Sequence, residues 1–124
     1  MQINELVKIA HANAVSKGWW DKEPSFGETI SLIHSEASEA LEDYRNGKPI
    51  NQNWYEKENE TNIFETDKQV TPEWKPCGIP SELADVVIRV FVTCGRYGID
   101  LEAAINEKMA YNATRPQRHG GKVI

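Results

Sequence analysis

Apolar residues recur three and four positions apart over most of this chain, and the pattern breaks at a few glycines and prolines. Ile3, Leu6, Val7, Ala10 and Ala14 lie at helical spacing, and Gly18 in SKGWW supplies a stop, which predicts a first helix over about residues 2–17. In PSFGE, Ser25 stands three residues before Glu28, the capping-box arrangement in which two orphan backbone donors are satisfied reciprocally. A second helix is expected to start there and run to about Gly47, with Ile30, Ile33, Ala37, Ala40, Leu41 and Tyr44 as its apolar stripe. A third passes through LADVVIRVFVTCGRYG with apolar residues on nearly every side, which predicts a central position. Asp100 caps a fourth, LEAAINEKMAYNAT, which stops near Pro116.

Residues 47–80, between the second and third helices, are polar, with Trp54, Phe64 and Trp74 scattered among them. A connection that long is uncommon in a compact domain and reads as a lid, an arm onto a neighbouring subunit, or a short hairpin. The expectation is an all-α bundle of about four main helices, a single domain over 1–124, interrupted by this insertion.

Charge and cysteine content narrow the function classes. With 14 basic and 19 acidic side chains the net charge is −5, which argues against stable nucleic-acid binding through phosphate neutralisation but leaves small anions open. No apolar run reaches the length of a membrane span, and the N-terminus lacks a basic start with an apolar signal core, so a cytoplasmic address without membrane partners is expected. Cys77 and Cys94 match no paired metal spacing and read as reduced thiols, Cys94 buried.

The acidic residues change the picture more. HSEASEALEDYRNG places Glu36, Glu39, Glu42 and Asp43 in one helix, where like charges three and four apart repel. At about 100° per residue, Glu36, Glu39 and Asp43 share one ridge beside the apolar stripe, whereas Glu42 points elsewhere. On the third helix Glu82, Asp85 and Arg89 form the polar ridge of an otherwise apolar helix. Antiparallel packing through the apolar faces lets Glu36, Glu39, Glu82 and Asp85 converge, and carboxylates brought together in an interior need protons or cations. All-oxygen ligands favour Mg²⁺, with Mn²⁺ as a substitute. A ferritin-like di-iron bundle would require Glu-x-x-His pairs, which neither acidic pair supplies. The plain alternative is a set of solvated helix faces, the reading that suits Glu42 and Glu107.

On the fourth helix Lys108, Asn112 and Arg115 follow i, i+4, i+7 spacing in line with Leu101, Ala104 and Ile105. Cations on that face suit a phosphate chain held between metals and Lys/Arg, or else salt bridges to the acids. Trp20, beside Trp19, offers a ring for base stacking or a core anchor. His34 reads as a hydrogen-bonded structural histidine, Asp43 as an outer partner of the metal ligands, and His119, Gly120, Gly121 and Lys122 as a basic tail that closes over phosphate or frays.

EASE (Glu36, Glu39), ELAD (Glu82, Asp85), KMAYNATRP (Lys108, Asn112, Arg115) and the closing RPQRHGGKVI together resemble the MazG-like all-α nucleotide pyrophosphohydrolases, in particular small proteins of bacteria and their phages. The resemblance runs from about Trp19 to the C-terminus. It departs in one place: 42 residues separate Glu39 from Glu82, more than in compact members of the family.

The resemblance implies hydrolysis of a nucleoside triphosphate between the α and β phosphorus, giving monophosphate and pyrophosphate. Glu36, Glu39, Glu82 and Asp85 would bind Mg²⁺, and one glutamate of the first pair would orient the attacking water. Lys108 and Arg115 would hold phosphate oxygens, with Asn112 on phosphate or sugar. A homo-oligomer, dimer or dimer of dimers, is implied. A non-catalytic nucleotide sensor and a structural helical oligomer are the competing classes.

Overall fold

The computed structural model describes residues 2–57, 64–65 and 71–116. It is mostly helical: α1 (Ile3–Ser16), α2 (Phe26–Arg45), α3 (Ile79–Tyr97) and α4 (Leu101–Ala113), with strands β1 (Trp54–Lys57), β2 (Phe64–Glu65) and β3 (Trp74–Cys77) between α2 and α3. The chain divides into two compact units, one built from Met1–Asp21 and the chain from Phe91 onward, the other from Lys22–Val90. No helix among the described residues is long and apolar enough to cross a membrane.

The Lys22–Val90 unit holds α2, the sheet and the first part of α3. Ser25 and Glu28 form the capping box anticipated from PSFGE, with Ser25 Oγ accepting from the Glu28 amide at 3.1 Å and Glu28 accepting from the Ser25 amide at 3.1 Å. α2 ends in a paired closure: the Lys48 amide donates to the Asp43 carbonyl and the Gly47 amide to that of Tyr44, with Gly47 at φ +84°. Only a residue without Cβ adopts that conformation cheaply.

The insertion is an antiparallel sheet in the order β2-β1-β3, with Trp54 opposite Cys77 and Glu56 opposite Lys75. Antiparallel pairing of the described strands is what the hairpin reading of this stretch expects. Gly78 joins β3 to α3 at φ +111°, and a Cβ there would lie 2.3 Å from the Gln52 carbonyl oxygen. The Gly78 carbonyl then accepts from the Glu82 amide at 3.0 Å, starting α3. Cys77 donates its thiol to Glu56 Oε2 at 3.1 Å, and burial together with that carboxylate pushes the thiol up to about 12.

In the other unit, α1 and α4 cap one another. Asn4 Oδ1 accepts from the Glu102 amide at 3.2 Å while a Glu102 carboxylate oxygen accepts from the Asn4 amide at 3.3 Å. Asn4 Nδ2 also donates to Asp100 Oδ1 at 2.9 Å, and that oxygen accepts from the Ala103 amide. First-turn donors of both helices therefore find acceptors on the opposite helix or its cap. Gly95 permits α1 to approach the end of α3, since a Cβ there would meet His11 Cβ at 2.5 Å. Val7, Ala14, Val92 and Cys94 are buried in this unit.

Two expectations need correction. The third helix is not covered on all sides, because Leu83, Val87 and Ile88 are 52%, 47% and 41% exposed. The stripe of α2 is likewise covered at Ala40 but open at Leu41 and Tyr44. Helical periodicity reports which face is apolar; it does not report whether one copy of the chain suffices to cover it.

Candidate metal centre

The site lies within the Lys22–Val90 unit, on facing stretches of α2 and α3. Capping at Ser25 and Glu28 sets the register of α2, and the Gly78 turn sets that of α3 one helical turn before Glu82. With both helices started, the two E-x-x-acid pairs project from one turn each. One carboxylate oxygen from each of Glu36, Glu82 and Asp85 lies within 4.8 Å of the others. Glu36 and Glu82 are half-buried and Asp85 is exposed.

Glu39, the fourth expected ligand, is exposed and falls outside that triad. Its carboxyl nonetheless lies near enough to Glu82 and Glu36 to raise both. Asp43 lies near enough to Glu82 to act on it by charge. Each of Asp43 and Glu82 keeps one buried carboxylate oxygen without a hydrogen-bond partner. Buried oxygens in that condition are expensive unless a proton or a cation meets them.

The electrostatics agree with the geometry. Burial, the Glu39 contact and the charges of Glu39, Asp85 and Asp43 raise Glu82 to about 7. Glu36 is raised by burial and by Glu39, against the lowering effect of its bond to Arg89. Asp85 is raised by burial and by Glu39, with Lys75 and Arg89 opposing. The donor set is all carboxylate, the chemistry that suits Mg²⁺ or Mn²⁺.

Two cations at this site carry more weight than the sequence suggested. Arg89 Nε donates to Glu36 Oε1 at 3.1 Å, joining the polar ridges of α2 and α3. Its position four residues after Asp85 was the available signal. Lys75, on β3, acts on Asp85 from the insertion; no periodicity marks it, because a strand residue's neighbours are set by sheet register and the Gly78 turn.

Lys108, Asn112 and Arg115 belong to the other unit and are exposed there. Lys108 Nζ and the Arg115 guanidinium lie 5.6 and 5.2 Å from the centre of the Tyr111 ring, and Arg115 also hydrogen-bonds the Tyr111 hydroxyl. The expected inward orientation of this face is therefore not seen within the unit, where every residue of α4 after Ile105 is exposed. Trp20 packs edge-on against His11 and Tyr97, with the Arg96 guanidinium 4.8 Å from its ring centre. Those neighbours make it an anchor of its unit. His34 is exposed rather than built into a core, while Cys77 and Cys94 are free and buried. His119, Gly120, Gly121 and Lys122 lie outside the described residues.

No family model, curated protein or solved structure matches this chain.

Proposed function

We propose that this chain is a Mg²⁺-dependent nucleoside triphosphate pyrophosphohydrolase of the MazG-like all-α type, cleaving between the α and β phosphorus. The observation that carries the reading is the convergence of Glu36, Glu82 and Asp85 within 4.8 Å, with unsatisfied oxygens on Glu82 and Asp43 beside it. The E-x-x-E and E-x-x-D spacings and the Lys108, Asn112, Arg115 register support it from the sequence.

In this reading Glu36, Glu82 and Asp85 hold the cation, and Glu39 completes the set once Glu82 ionises. When bound, Mg²⁺ supplies neutralisation of the triphosphate charge and a lowered pKa for the attacking water. Glu39, the more exposed glutamate of the first pair, would orient that water. Lys108 and Arg115 contribute phosphate contacts and Asn112 a hydrogen bond, as the resemblance implies. The uncovered apolar positions Leu83, Val87, Ile88, Leu41 and Tyr44 favour a homo-oligomer.

Incubation of the full chain with a panel of ribo- and deoxyribonucleoside triphosphates and Mg²⁺, with products separated by chromatography, tests the proposal. Equal amounts of monophosphate and pyrophosphate are expected. Diphosphate with orthophosphate as first products, or no turnover of any triphosphate, would overturn it.

A further inference from the structure

Arg89 is the residue that the proposed chemistry leaves without a task. Its side chain is 26% exposed, that of Glu36 is 15% exposed, and they meet through Nε and Oε1 at 3.1 Å. Arg89 stands one turn after Asp85 and two turns after Glu82 on the same ridge of α3, so the guanidinium reaches across to α2 beside the three converging carboxylates. A carboxylate has two oxygens, and a bond to one of them fixes the plane and direction of the other. A shielded pair of this kind is ordered in a way that a solvated surface bridge is not.

We infer that Arg89 is a positioning residue for the cation site, holding Glu36 by Oε1 so that its second oxygen is directed to a divalent ion shared with Glu82 and Asp85. The inference rests on reading those three carboxylates as a cation site. It differs from two other roles for the same contact. As a mere tie between helices, Arg89 would affect melting and not ion affinity. As a resident cation in the ion's place, it would compete, and its removal would tighten binding.

The test is titration of the full chain with Mn²⁺ alone, following free ion by electron paramagnetic resonance, in the parent, Arg89→Met, Arg89→Lys, Glu36→Gln and the double variant Glu36→Gln/Arg89→Met. Circular dichroism confirms helicity in each. Arg89→Met is expected to bind Mn²⁺ about 10 to 100-fold more weakly, the usual loss when a ligand's outer partner is removed. Arg89→Lys should recover part of that affinity, because it keeps the charge and loses the planar fork. In the Glu36→Gln background the Arg89→Met change should add nothing further, since its effect is routed through Glu36. Equal or tighter Mn²⁺ binding by Arg89→Met, or an undiminished effect without the Glu36 carboxylate, overturns the positioning role and leaves the cation site standing. Failure of the parent to bind Mn²⁺ overturns both. Should Arg89→Met not fold, Arg89→Lys with parental affinity and helicity also overturns it.

Discussion

Glu39 of α2 lies close enough to Glu82 of α3 to raise its carboxyl, and burial together with that neighbour brings Glu82 to about 7. Glu36 and Asp85 are displaced in the same direction. An acid whose pKa is raised on folding stabilises the folded state fully below its unfolded value and loses that contribution as pH rises through the folded value. For Glu82 the window runs from near 4.5 to about 7. The melting temperature of the metal-free protein should fall between about pH 5 and pH 8. Mg²⁺ should restore it at the upper end and do much less at the lower end, where protons occupy the carboxylates. A flat profile, or equal Mg²⁺ shifts at both ends, would contradict this account of the cluster.

Neutralising single members of the cluster separates ligation from folding. Glu39→Gln and Asp85→Asn should each abolish triphosphate turnover, while metal-free melting at pH 8 stays level or rises because repulsion is relieved. Assays beside thermal scans decide it. Full activity in either variant counts against the proposed ligands.

Arg115 and Lys108 distinguish a phosphate-binding face from a surface one. Their ring contacts with Tyr111 are exposed, so loss of either charge should change stability little. Substitution by Met should weaken substrate binding or slow turnover by about 10 to 100-fold, the cost of one charge-assisted contact. Nucleotide with Mg²⁺ should raise the melting temperature of the parent more than that of Arg115→Met. Equal shifts would tell against the proposed phosphate contact of Arg115.

Gly78→Ala probes the junction that sets α3 in register. With φ at +111° and the Gln52 carbonyl in the way, the added methyl both strains the backbone and collides with it. A loss of about 1–3 kcal/mol is expected from the backbone conformation alone, more if Gln52 cannot move. Urea unfolding measures it. Because Glu82 lies one turn beyond Gly78, Mn²⁺ affinity should fall as well.

Asn4→Ala examines the reciprocal caps of α1 and α4. The substitution removes an acceptor for the Glu102 amide and a donor to Asp100. About 1 kcal/mol of stability should be lost, with Mn²⁺ binding unchanged, as befits a residue of the other unit. Reduced ion affinity would imply a coupling between the units.

The helices were legible in the chain because their causes are local. Ser25 with Glu28 marks the start of α2, Gly47 closes it and Asp100 opens α4; each is a matter of backbone donors, acceptors and φ angles within a few residues. The two acidic ridges were legible for the same reason, since helical rotation alone aligns Glu36 with Glu39 and Glu82 with Asp85. What lay beyond the sequence were relations across distance. The insertion's strand pairing, the Gly78 turn that brings Lys75 toward Asp85, and the Arg89–Glu36 bond across 53 positions depend on how separate elements meet. The exposure of Leu83, Val87 and Ile88 is of the same kind. An apolar stripe states what a helix would bury, and only packing decides what it does bury, because the free energy of burial belongs to the pair of surfaces and not to either one.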